Sequence, residues 1–163
     1  MTESPRRRGL ALVEIIAASV WLGATVLFAG VVAPAAFAAL PTRTLAGALV
    51  GAVLPALFYA GILLGLLLLI TSLSARRGRA VTPAMVGGLL VAVACSVAQF
   101  AVAPRIERAR AAIGGPVDAL STSDPRRVSF GRLHAASVGW LALGVIGAVT
   151  AAAGAAASLR RNS

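Results

Sequence analysis

Four long, nearly charge-free apolar stretches, separated by short arginine-bearing connectors, dominate this 163-residue chain. They run from Leu10 to Ala33, Pro55 to Leu73, Val81 to Ala103 and Leu133 to Leu159. Each reaches the ~20 residues that an α-helix needs to cross bilayer hydrocarbon. A helix on a soluble protein keeps a polar face, and these have almost none. Apolar residues make up 59% of the chain, against roughly 45–50% in soluble domains, so lipid is the expected solvent. The expected fold is all-α: an integral membrane four-helix up-and-down bundle forming one domain over residues 10–159. A basic N-terminus (1–9), an external loop (104–128) and a short tail (160–163) complete the chain.

The formal charge of +10 would point to nucleic acid in a soluble protein. Here the arginines sit between or beside the apolar stretches, where they act as topology anchors. No nucleic-acid partner is expected; the bilayer is. All fifteen basic residues are arginine, which, with the heavy use of Ala, Gly and Val, fits a bacterial genome rich in G and C and hence a bacterial inner membrane. Arg6, Arg7 and Arg8 precede the first span and only Arg43 follows it, which places the N-terminus in the cytoplasm. Arg76, Arg77 and Arg79 then fall on the same side, as does the C-terminus. Over the whole chain the count is close, eight arginines inside against seven outside. The arginine-led start resembles a secretory signal, but its apolar run is too long and Glu14 interrupts it, so the first helix is expected to be retained.

Proline marks the expected breaks. Lacking a donor and clashing one turn back, Pro34 and Pro104 are expected to end the first and third spans, leaving residues 35–43 as a connector and a short surface helix after Pro104. Pro55 is expected to give a kinked helix or a short interfacial helix over Thr44–Leu54, with Gly51 making room for its ring. Thr82-Pro83 should start the third span, with the hydroxyl at the cap and proline in the first turn; Ser129 should cap the fourth. Gly47-x-x-x-Gly51 and Gly61-x-x-x-Gly65 have helix-contact spacing and read as packing, with a dimer seam as the alternative.

The segments WLGATVLFAGVVAPAAFAAL, AGALVGAVLPALFYAGILLG and FGRLHAASVGW, in this order, resemble the transmembrane protein 205-like family of small four-span membrane proteins. The most specific parts are Trp21-Leu22-Gly23 with its VVAP exit, the Leu54 to Tyr59 entry of span two, and the Phe130, Leu133, His134 and Ser137 start of span four. The resemblance covers roughly residues 10 to 145 and implies the four-span architecture but no mechanism. Span one is also distantly similar to copper-resistance membrane proteins, which carry a His where this chain has Glu14. With one His, two Met and one Cys, soft copper ligands are scarce.

Ionisable residues inside spans are functional suspects. Glu14 lies about one turn inside the cytoplasmic edge of span one. It either reaches water or an arginine among Arg6–Arg8 and Arg76, or forms a proton or cation site. His134 lies about one turn inside the external edge of span four, on the opposite leaflet, so the two should not pair. Tyr59, Gln99 and His134 share a depth and are expected to form an outer polar cluster. That cluster is either a network fixing helix register or a site for a small solute, metal ion or proton. Trp21 and Trp140 read as gap-fillers, and Cys95 as a small apolar core residue.

The chain carries no H-E-x-x-H, CxxC or phosphate-binding glycine loop. Ser137 follows His134 on one helix with no acid nearby, so neither an enzyme nor a cofactor is expected. A structural or accessory membrane protein, partnered by a second copy or another membrane protein, comes first. A small transporter or channel using the His134 cluster and Glu14 comes second. An external pocket reaching His134 favours the second reading.

Overall fold

The computed structural model describes residues 5–75 and 81–161, with nothing stated for the side chains of Ala75 and Arg161. Arg76, Arg77 and Arg79, three of the expected topology anchors, lie outside these residues. Most of the described chain is helical, with no strand among the described residues. The elements are α1 (Pro5–Leu27), α2 (Ala33–Ala39), α3 (Arg43–Ala75), α4 (Pro83–Ser96), α5 (Ala103–Ile113) and α6 (Pro125–Arg161). They compose four rods long and apolar enough to span a membrane: Pro5–Ala39, Arg43–Ser74, Pro83–Ile113 and Pro125–Arg160. The rods alternate in direction, and each packs on its two neighbours in a ring α1–α3–α4–α6. The side of the bundle that bears Pro5, Ser74, Pro83 and Arg160 is the terminal end here; the opposite side is the loop end.

Two proline expectations are revised, and one of the two alternatives at Pro55 falls away. Pro34 and Pro104 do not end their helices. In each case the chain takes one wide π-helical stretch, Phe28–Val32 and Val97–Val102, and continues into α2 and α5. The cause is local. Each proline sits two residues into the following helix, has no N–H, and crowds the carbonyl one turn back. The residue before it bonds five back instead of four: Ala33 N–H to Phe28 O, and Ala103 N–H to Ala98 O. A π-bulge absorbs the misfit without ending the rod. Pro55 lies inside α3, which runs unbroken for 33 residues, so no separate interfacial helix precedes it.

The helix starts divide. Thr82 caps α4 as expected, its Oγ1 accepting from Met85 N–H at 3.2 Å. The fourth rod, however, starts earlier than Ser129. Asp124 Oδ1 accepts from Arg126 N–H at 2.8 Å with Pro125 in the first turn, a carboxylate cap followed by proline. Gly114, at φ 68°, ends α5 in the left-handed conformation that only glycine adopts without strain.

Small residues hold the rods together. A Cβ at Gly65 would stand 2.5 Å from Ala92 N and 2.7 Å from Gly88 O; at Gly147, 2.8 Å from Gly87 O. The backbones of α3, α4 and α6 therefore nearly touch, the contact that drives helix association where lipid removes the hydrophobic drive. Trp21 fills the centre. Its indole lies against Gly61 and Gly144, beside Cys95, and its Nε1 donates to Leu57 O at 3.0 Å. Both Cys95 and Trp21 sit in one buried cluster with Phe58, Leu68 and Val91, and Trp140 packs on its edge. Large apolar side chains such as Ile16, Val20, Leu63, Ile70 and Ile146 point outward. A bundle with small residues inside and bulky apolar ones outside is matched to hydrocarbon.

Candidate functional site

At the loop end the packing changes. α3 and α6 lie across the ring from each other and hardly touch. Between them opens a crevice of about 260 Å³. One wall is a stripe of α3 at helical spacing, Gly47, Val50, Gly51, Leu54 and Phe58. The facing walls come from α5 through Ala103, Ile106 and Arg110, and from α6 through Phe130, His134 and Ser137. Gln99, in the π-helical stretch between α4 and α5, reaches it as well.

The glycines of α3 create this space. With no side chain at Gly47 or Gly51, the Arg110 guanidinium lies along the helix face, 3.6–3.7 Å from where their Cβ atoms would be. Arg110 is held there by Glu107 at 3.3 Å and lies 6.0 Å from the centre of the Phe130 ring, a weak cation–π contact. Over the mouth, a 3₁₀ turn (Val117–Ala119) presents Asp118 to Arg43 at 3.7 Å and to Arg127 at 4.0 Å. Arg127 also donates to Leu120 O. Exposed ion pairs add little stability; these two, with the Arg127 hydrogen bond, fix where the loop sits. Asp118 serves two arginines and Glu107 one, so these mouth groups keep one positive charge over.

The deep end is different. Gln99 Oε1 is buried without a hydrogen-bond partner, and Ser137 beside it is buried. An orphaned buried acceptor is rare and calls for an explanation. The atom itself is closed to solvent, while the rest of the partly exposed Gln99 residue lines the crevice.

The expected outer cluster thus forms in part. His134, itself well exposed, and Gln99 line the same crevice. Tyr59 does not join them. It is 48% exposed and meets the edge of Phe100, also exposed, at 6.0 Å between ring centres. The reason is helical phase: the crevice stripe of α3 includes Phe58, and the next residue points about 100° away. Thr25, at a comparable depth, is buried and donates to Trp21 O of its own helix at 2.8 Å. Arg110 is a site residue that the sequence does not single out; Ser137 is noted there only as a dismissed nucleophile, and Gly47 and Gly51 only as packing. The two glycines carry the usual signature of packing, and their spacing cannot separate a groove from a seam.

Glu14 is far away, near the terminal end, and largely buried. It is 5% exposed, and its Oε1 accepts from Thr71 Oγ1 at 2.7 Å and Ser72 Oγ at 2.9 Å. Among the described residues no cation lies within ion-pair distance of it. The expected pairing with Arg6, Arg7 or Arg8 does not form. The heptad stripe of α1, Ala11, Glu14, Ala18, Trp21 and Thr25, turns it inward. Among the described residues no three of His, Cys, Asp and Glu come together as a metal-binding group.

Fold and crevice together define a multi-pass membrane protein: four apolar helices in an all-α bundle with a mostly apolar crevice, bearing a few polar groups, at the loop end. Residues 16–114 match the family model described as domain of unknown function DUF4149, and the chain belongs to that family. The match spans α1 to α5 with Gln99 and Arg110, and leaves His134 and Ser137 beyond it. No curated protein and no solved structure matches the chain.

Proposed function

We propose that the protein binds a small amphipathic solute in the loop-end crevice. The supporting observation is a roughly 260 Å³ crevice, mostly apolar, into which Gln99, His134 and Ser137 bring polar groups. The occupant carries polar groups to meet these three side chains. Its apolar body lies along Leu54, Phe58, Ile106 and Phe130. The cavity is just below the ~300 Å³ at which pockets for drug-sized ligands begin, so the occupant is small.

From sequence alone a structural or accessory role ranks above transport. The crevice reverses that order, and the glycine pair Gly61 and Gly65 adds nothing to a dimer seam, since both lie against α4 and the core inside the bundle. Below Gln99 the apolar cluster around Trp21, Phe58 and Cys95 closes the way, so the reading is capture or delivery of a solute rather than conduction through one copy. It assigns no catalytic step. Within the same reading, Arg6 to Arg8 hold the terminal end in the cytoplasm of a bacterial inner membrane, so the crevice opens outward. Kinship with the transmembrane protein 205-like family is part of this reading too.

The test is mass spectrometry of small molecules co-purifying with the wild type and with Gly51→Leu, whose side chain fills the crevice. A species enriched in the wild type and lost in the variant is the expected result. Identical profiles, together with unchanged thermal stability of the wild type when such extracts are added back, would remove the reading.

A further inference from the structure

Glu14 poses a charge problem that the crevice does not touch. A carboxylate at this depth in a membrane bundle is expensive unless neutralised. Its contacts are two hydroxyls, on Thr71 and Ser72 of α3, each itself more than nine-tenths buried. The charged groups on the elements closing this end are Arg6, Arg7 and Arg8 of α1 and Arg160 and Arg161 of α6. α4 brings none, and α3 brings none at this end within its described length. Arg8 and Arg160 have interactions of their own, and the arginines after α3 lie outside the described residues.

We propose that Glu14, with Thr71 and Ser72, is a proton-binding site at the terminal end of the bundle. The geometry around Thr71 favours a proton over a metal ion. Its Oγ1 lies 2.7 Å from Glu14 Oε1, 2.9 Å from Leu67 O and 3.2 Å from Leu68 O. A hydroxyl has one proton to give and lone pairs to accept. When Glu14 is ionised, Thr71 and Ser72 both donate to Oε1. When Glu14 takes up a proton from water beyond the arginine-bearing end, Oε1–H donates to Thr71 Oγ1, which turns its own proton to Leu67 O. Both states are hydrogen-bonded with no movement of the backbone. A metal ion, by contrast, needs around six oxygens, and the side chains here offer one carboxylate and two hydroxyls.

The test uses the full-length protein in liposomes with dicyclohexylcarbodiimide, an apolar reagent that reacts with protonated carboxyls in membranes, followed by peptide mass spectrometry. The expected result is an adduct on Glu14 that declines as pH is raised and is indifferent to sodium. In Thr71→Val the hydroxyl that serves both states is gone, so the pH profile of labelling changes; a purely structural role for Thr71 would leave that profile in place. Glu14→Gln, nearly the same shape and uncharged, stays folded by thermal scan and takes no adduct. Infrared difference spectra, wild type minus Glu14→Gln, should show the carboxylic-acid carbonyl band at acid pH and its loss at alkaline pH. Absence of that band overturns the proposal, as does labelling of Glu14 that ignores pH. Protection by sodium overturns it in favour of a metal site.

Discussion

The two glycine pairs of α3 have the same spacing and opposite consequences. Gly61 and Gly65 press against Trp21, Cys95 and the backbone of α4, where no Cβ fits. Gly47 and Gly51, on the same helix toward the loop end, meet only the flexible tip of Arg110. The first pair closes a seam and the second keeps a crevice open. Small residues in a membrane helix therefore report close approach of something, and the partner decides whether it is a neighbouring helix or a cavity.

The contrast breaks first at the seam. In Gly65→Leu the new side chain meets the backbone of Ala92 and Gly88, which cannot swing aside. A loss of about 3 kcal/mol, the upper part of the overpacking range, should appear as a large drop in melting temperature in detergent. A variant as stable as the wild type would mean that α3 and α4 are not in contact. Trp21→Phe comes next. It removes the donor to Leu57 O and leaves space between Gly61 and Gly144. Leu57 O keeps its helical bond within α3, so the loss is that of one hydrogen bond, about 0.5–1.5 kcal/mol, read in the same thermal scan. Gly51→Leu sharpens the other half of the comparison. Replacing a helical glycine contributes up to ~1 kcal/mol, and Arg110 can yield, so stability should hold or rise while the crevice fills.

The smallest effect is expected at the mouth. The Arg126 side chain and backbone N–H beside Asp124 hold its carboxyl below the usual carboxylate range. A group depressed in the folded state stabilises above its unfolded pKa and ceases to do so as pH falls through the folded one. Asp124→Ala should therefore lower the melting temperature slightly at neutral pH. The difference should vanish in acid, where wild type and variant converge.

Much of the fold is legible in the amino-acid order itself. Long apolar runs leave no solution but membrane-spanning helices, because every backbone group in hydrocarbon must be bonded within its own segment. The Thr82 cap is equally local. The prolines mislead because their cost depends on whether the helix can widen by one residue, as it does before Pro34 and Pro104. His134 and Gln99 can be matched by depth along their helices. Tyr59 shares that depth and still falls outside, because depth says nothing about rotation.

The chain's own chemistry determined the solvent, the number of rods and their alternating direction, since these follow from hydropathy and length alone. Only the tertiary structure decided which face of each rod looks inward. That rotational choice sends Glu14 to two hydroxyls instead of an arginine, Tyr59 to the outside, and Gln99 to the bottom of a crevice. In an apolar helix the hydropathy is nearly the same all round, and contacts between small residues on different rods set the rotation.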